Sequence, residues 1–437
     1  MNIKRTTPWR AIRVSLVIIA GGLLAQPAVV AADAGKLSDL RGVFRANFNH
    51  DGTRVVVRHR EGDVGIWEVP DGPRVTGDLG PETGSNTYVM SPDARLVLVG
   101  LKDGHARVFD AASAKAISPM LDVAVATETQ MPALFSPDGN TVLIFSAKEV
   151  AVFEVRSGKR LAALPLTAGS NEDEPGSAAF AAGGAQCFVM DGTGTVTRYD
   201  AKDWKPVGNP MRHPPAESAY DFAFNVSDDG KWLATFDGSG ENGPKGNLQV
   251  WDVAANKPVG KPLVAVNGLT GRFLGNRILI SPGRGDATVR DLPAMKVAYS
   301  LRPHDDVDGA SVDLSPDKKW ILAWGADRIV NLYDAATGKL ATGHSASATV
   351  SKIMPAPDSS ACYVVYDNSA FLLQKHYDSY VVKLSFPELT ITDSLRTLDL
   401  VSDSSLSPDG KRLLVLHGTS DQERLVFFDA ANLKPLE

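Results

Sequence analysis

The chain has 437 residues, 43% of them hydrophobic and 22% charged, with 39 Gly and 27 Pro. That is globular composition with many turns, which excludes a disordered chain and favours strands over long helices. The formal charge is −6, and no basic stripe breaks it, so the surface repels nucleic acid and that class of function is set aside.

Taken from the N-terminus, Lys4, Arg5, Arg10 and Arg13 precede an apolar run from Val14 to Ala25. A bilayer-spanning helix needs a longer run, so residues 1–32 read as a cleavable signal peptide of bacterial type. The small residues Ala28 to Ala32 place cleavage after Ala32, with Ala34 also acceptable. No Cys follows the apolar run to anchor a lipid, so the expectation is a periplasmic or secreted chain with no membrane span after cleavage. Losing four basic residues and no acidic one takes the mature charge to −10.

Beyond residue 36 one phrase recurs: Ser91-Pro92-Asp93-Ala94, Ser136-Pro137-Asp138-Gly139, Ser315-Pro316-Asp317-Lys318 and Ser407-Pro408-Asp409-Gly410. Looser copies are Asn49-His50-Asp51-Gly52, Ser227-Asp228-Asp229-Gly230 and Ala356-Pro357-Asp358-Ser359, with degenerate ones at Ala182-Gly183-Gly184 and Leu274-Gly275-Asn276. Between positions 51, 93, 138, 183, 229, 276, 317, 358 and 409 the steps are 42, 45, 45, 46, 47, 41, 41 and 51, so nine units are visible. Each phrase is a tight turn, where Pro fixes φ, Asp bonds the following backbone and Gly accepts positive φ.

A strand apolar on both faces follows each turn, as in Thr141 to Phe145 or Arg412 to Leu416, which suits a strand sandwiched between two neighbouring sheets. A second strand ends in an aromatic and an acid, as in Trp67-Glu68, Phe109-Asp110, Tyr199-Asp200, Trp251-Asp252 and Tyr333-Asp334. A turn such as Ala335 to Lys339 then leads to a weaker outer strand, giving four strands per unit.

Turn, buried strand, aromatic-acid strand and Gly-Lys turn together resemble the WD40 repeat over residues 36 to 437, and the Ser-Pro-Asp-Gly-Lys wording is also similar to TolB-type repeats. The resemblance implies an all-β, single closed β-propeller of eight or nine four-stranded blades, with residues 36–42 pairing with the C-terminal blade to close the ring. The Gly-His pair of the repeat occurs at Gly343-His344, while His213 and His304 stand near the same place without the Gly, which puts the family's His-to-Asp network in doubt for most units.

None of the eight histidines is clustered, and no metalloprotease, nucleophile-elbow or phosphate-loop motif is present, so no catalytic, metal or cofactor residues are assigned. Cys187 and Cys362 each lie four residues after their turn anchors. They would occupy the same buried strand four blades apart, too far to bridge, and are expected as free buried thiols. Glu172-Asp173-Glu174 and Asp305 to Asp308 lack full EF-hand spacing and read as solvated turns, and Arg284-Gly285-Asp286 reads as a coincidental hairpin turn. Trp67, Trp232, Trp251, Trp320 and Trp324 are assigned to packing between blades.

Two units enlarge the hairpin between their buried and aromatic-acid strands. Unit 5 does so over Asp237 to Lys245, and unit 8 over Asp367 to Tyr380, where Phe371, Leu372, His376, Tyr377 and Tyr380 form the candidate interaction loop. Family resemblance makes the expected function a non-enzymatic, monomeric scaffold holding a protein or peptide partner. The alternative is an exported propeller enzyme or small-ligand binder using the mouth of the central channel.

Overall fold

The computed structural model describes residue 40 and residues 43–436, except 61, 80–87, 102, 124–131, 170–175, 216–220, 239–245, 266–268, 283–285, 302–310, 325–327, 346–348, 368–378, 398 and 419–422. The expected signal peptide, and residues 36–42 apart from Leu40, lie outside the described residues.

The turn phrase sets the architecture. In blade 2 the Ser91 hydroxyl donates to Asp93 Oδ1 at 2.6 Å and accepts the Leu96 N–H at 2.9 Å, while Asp93 accepts the Arg95 N–H at 3.1 Å. Ser136, Ser227, Ser315 and Ser407 each bond the Asp two residues on in the same way. The Ser315 hydroxyl is the first cause holding Asp317 down at about 2. All nine turns place a residue in the left-handed region, and where Gly is absent Ala94 (φ 54°), Lys318 (φ 58°) and Ser359 (φ 57°) take it. In the third strand the acid after the aromatic caps the next turn: Asp110, Asp252 and Asp334 each accept a backbone N–H three residues on at 2.8 Å.

These turns connect nine antiparallel sheets, so the protein is an all-β propeller of nine blades. Blades 3 to 8 have four strands; in blade 5 they are Asp221–Val226, Trp232–Gly238, Gly246–Asp252 and Lys257–Ala265. Blades 1, 2 and 9 have three regular strands, and isolated bridges such as Trp67 to Arg74, Phe109 to Ala116 and Phe428 to Pro435 mark the fourth position.

The second strand of each blade is its most buried, as in Leu96–Gly100, Thr141–Phe145 and Arg412–His417, where four consecutive residues are inaccessible. Its two faces feed different cores. Val97 and Val99 pack towards blade 1, whereas Leu98 packs towards blade 3. Nine hydrophobic clusters result, one at each boundary between successive blades. The ninth joins the last blade to the first, with Leu414, Leu416, Leu425 and Phe427 against Val43, Phe48, Val55 and Val57. Leu40 is buried in that cluster, and the Phe48 and Phe427 rings meet edge-on at 5.7 Å.

Trp67, Trp232 and Trp251 are buried as expected, while Trp320 and Trp324 are partly buried against the core between blades 7 and 8. Cys187 and Cys362 sit on the second strands of blades 4 and 8 (Gln186–Asp191 and Ala361–Asp367), both fully buried and free. Burial pushes the Cys362 thiol up to about 12 and Cys187 higher still.

Candidate functional site: hairpin stems and channel wall

Strand order gives the propeller two unlike faces. One carries the turns between first and second strands and between third and outer strands. The other carries the second-to-third hairpins and the connections to the next blade. The enlarged connections 239–245 and 368–378 therefore leave from the same face.

Of the expected interaction residues, Phe371, Leu372, His376 and Tyr377 lie outside the described residues. Tyr380 belongs to the third strand of blade 8 (Ser379–Ser385), pairs with Tyr366, and packs partly buried against the core between blades 7 and 8. The Arg396 guanidinium stands 6.0 Å from its ring centroid. The acidic runs 172–174 and 305–308 also lie outside the described residues, as do Arg284 and Gly285.

At the stem of the blade 5 hairpin four side chains form a directional chain. Trp251 Nε1–H donates to Thr235 Oγ1 at 3.1 Å, and the Thr235 hydroxyl donates to His213 Nδ1 at 2.8 Å. That leaves the proton on His213 Nε2, which donates to Asp237 Oδ2 at 3.3 Å. Asp237 closes the stem by accepting the Asn247 N–H at 2.6 Å. Asp237 and His213 are 2% and 8% exposed, so a buried carboxylate and imidazole satisfy one another. His213 itself is carried in from blade 4, where its N–H bonds Gly194 O.

The Gly343-His344 pair does not build this network. His213 lies two residues after Met211, which pairs with Val196, whereas His344 itself pairs with the matching Val330. His344 thus stands two places early and faces the Tyr366 ring at 6.5 Å, and burial holds its pKa below the ordinary value. His304 lies outside the described residues. His213, which lacks the preceding Gly, nevertheless builds the network, and Thr235 and Asp237, on the strand it reaches, carried no sequence signal strong enough to single them out.

The first strands of the blades line the channel, and polar contacts stitch one to the next. Tyr88 donates to Asn47 Oδ1 at 3.1 Å, Asn225 Nδ2 to Gly271 O at 2.6 Å, and Lys352 Nζ to Asp403 Oδ1 at 2.9 Å and Ser404 O at 2.5 Å. Arg272 and Asp313 approach at 3.8 Å. Across the turn face Lys318 of blade 7 pairs with Asp228 of blade 5, reaching past the short Gly275-Asn276 turn of blade 6.

Among the described residues no three His, Cys, Asp or Glu side chains converge in a way that could hold a metal ion. No helix among them is long and apolar enough to cross a membrane.

No protein-family model matches the chain, and no curated protein matches it. Solved structures do. A crystal structure of a eukaryotic initiation factor is similar with a TM-score of 0.67 at 12% identity, covering 88% of this chain and 94% of that one. The C-terminal WD40 domain of Sif2 is similar with a TM-score of 0.52 at 14% identity, covering 78% of this chain and 94% of that one. Identities this low carry the fold and nothing of partners or activity.

Proposed function

We propose that this protein is an exported, non-enzymatic scaffold that holds a protein or peptide partner on its hairpin face. The observation that carries this reading is the buried Trp251–Thr235–His213–Asp237 chain at the stem of the 239–245 connection. A buried polar network stabilises only if every member is satisfied, and it imposes one geometry where apolar packing tolerates several. Such a network beneath an enlarged hairpin fits a loop held at a fixed angle for a partner. The aromatic residues Phe371 and Tyr377 in the second long connection of that face supply the side chains that dominate protein contacts. A propeller ring needs no movement of its own to present both.

Mild crosslinking and co-purification of the tagged chain from its envelope fraction test this. Residues 368–378 and, separately, 239–245 are replaced by an Asn-Gly turn. A partner captured by the intact protein and lost with either replacement upholds the reading. A partner retained by both, or capture equal to that of an unrelated exported protein, removes it.

A further inference from the structure

Among the described residues of the channel wall one cation, Arg45, has no carboxylate partner. The first strand of blade 1, Val43–Phe48, carries Arg45 into a niche of about 370 Å³ formed with the first strands of blades 2, 3 and 9. Lys352 and Arg272 each have a carboxylate partner on the next blade, but Arg45 forms no ion pair among the described residues. It is exposed, and its partner across the ladder is another guanidinium, Arg58. Like charges directly opposite in a sheet are destabilising. Burial, and then Arg45, pull Arg58 below the usual arginine value, and its guanidinium lies 4.6 Å from the Phe44 ring centroid.

The rest of the niche divides by polarity. Asn47, whose Oδ1 is taken by the Tyr88 hydroxyl, keeps its amide N–H groups to donate, and Ser405, whose hydroxyl donates to Leu406 O at 3.4 Å, stands beside it. Phe48, Val89, Met90 and Leu406 supply apolar wall. Ala94 and Pro408 belong to turns of the phrase itself, so the niche opens towards the turn face, away from the long hairpins. A guanidinium with adjacent amide donors binds a carboxylate by charge-assisted hydrogen bonds, and the apolar wall requires an apolar body on it. We propose that this niche is a binding site for a carboxylate borne on a small apolar body. The site stands apart from the hairpin face and does not depend on the scaffold reading.

Titration calorimetry of the purified protein with phenylacetate, phenylacetamide and inorganic phosphate tests it, alongside Arg45→Gln and Met90→Trp. Phenylacetate should bind saturably, the amide about tenfold or more weaker, since one charge-assisted contact is worth that factor. Arg45→Gln should lose affinity to the same extent with an unfolding midpoint equal to or above that of the parent, and Met90→Trp should fill the niche and abolish binding. A tripeptide ending in Phe that binds tighter than phenylacetate identifies the carboxylate as a chain end, and the reverse order as a free acid; both uphold the site. No saturation by phenylacetate, equal binding of acid and amide, phosphate binding as tightly as phenylacetate, or an Arg45→Gln variant with parental affinity overturns it.

Discussion

Blades 5 and 8 carry the two enlarged hairpins, and their stems are built on one register with opposite chemistry. In blade 5 Leu233 pairs with Trp251, and Thr235 and Asp237 follow on the same face. In blade 8 Cys362 pairs with Leu384, so Val364 and Tyr366 stand in the places of Thr235 and Asp237. Three polar members of the network are thus exchanged for apolar or aromatic bulk, and the backbone ladder is kept. The strand geometry asks only that the stem be filled. Hydrogen bonds fix its angle in one blade, and side-chain volume fills it in the other. The second solution leaves a remainder, because the Tyr366 hydroxyl is buried without a hydrogen-bond partner among the described residues.

The contrast breaks first at His213. His213→Leu leaves the Asp237 carboxylate buried without its imidazole, and should cost about 3–5 kcal/mol in denaturant unfolding, against little for His344→Leu in blade 7. A loss below about 1 kcal/mol would mean the network is ornamental to stability. Next, Val364→Thr puts a hydroxyl into the blade 8 stem with neither an imidazole nor an indole to meet it. About 1–3 kcal/mol should be lost, whereas Thr235→Val in blade 5 should lose more, since it strands Trp251 Nε1 and His213 Nδ1 together. Equal losses would dissolve the distinction between the stems. Third, Tyr366→Phe removes an unmatched buried hydroxyl and should leave stability unchanged or raise it by up to about 1 kcal/mol, read as a higher urea midpoint.

The smallest effect is one of pH. Burial lowers the pKa of His344, so its neutral form is favoured in the folded state. The associated stability is fully present above the unfolded value near 6.5 and is lost as pH falls through the folded value. The urea midpoint should therefore fall between pH 7.5 and pH 5, and His344→Gln should reduce that fall; an identical fall in the variant would assign it elsewhere.

The ring was legible because its signal is repeated. Nine turns of Ser, Pro, Asp and Gly, spaced 41 to 51 residues apart, place nine sheets even where single copies are degenerate. Blade 6 shows how little one copy needs, since Gly275-Asn276 serves as its turn and Arg290-Asp291 replaces the aromatic-acid pair. The sites were less legible because they depend on neighbours distant in sequence. His213 meets Thr235 and Asp237 across a blade boundary, and the Gly-His pair that marks such a histidine by resemblance stood on the wrong register. Nothing in Phe44-Arg45-Ala46-Asn47-Phe48 marks Arg45 in the sequence; the juxtaposition of blades 9, 1, 2 and 3 sets it in a niche with no carboxylate partner among the described residues.

The boundary between blades 9 and 1 differs from the other eight in one respect: the described strands that meet there lie at opposite ends of the strand order, with contacts between residues 360 positions apart. Apolar packing holds it, together with Arg60 on Glu423 at 2.5 Å and Arg412 on the Gly52 carbonyl. Every other boundary, once parted, keeps its two sides tethered within a few residues, so reclosure there is a local search. Here the described strands of the two sides, Val43–Phe48 and Arg424–Asp429, are joined along the chain through all the blades between them. This seam is therefore the natural place for the ring to breathe, and amide hydrogens of Val43–Phe48 and Arg424–Asp429 should exchange ahead of those in the middle blades.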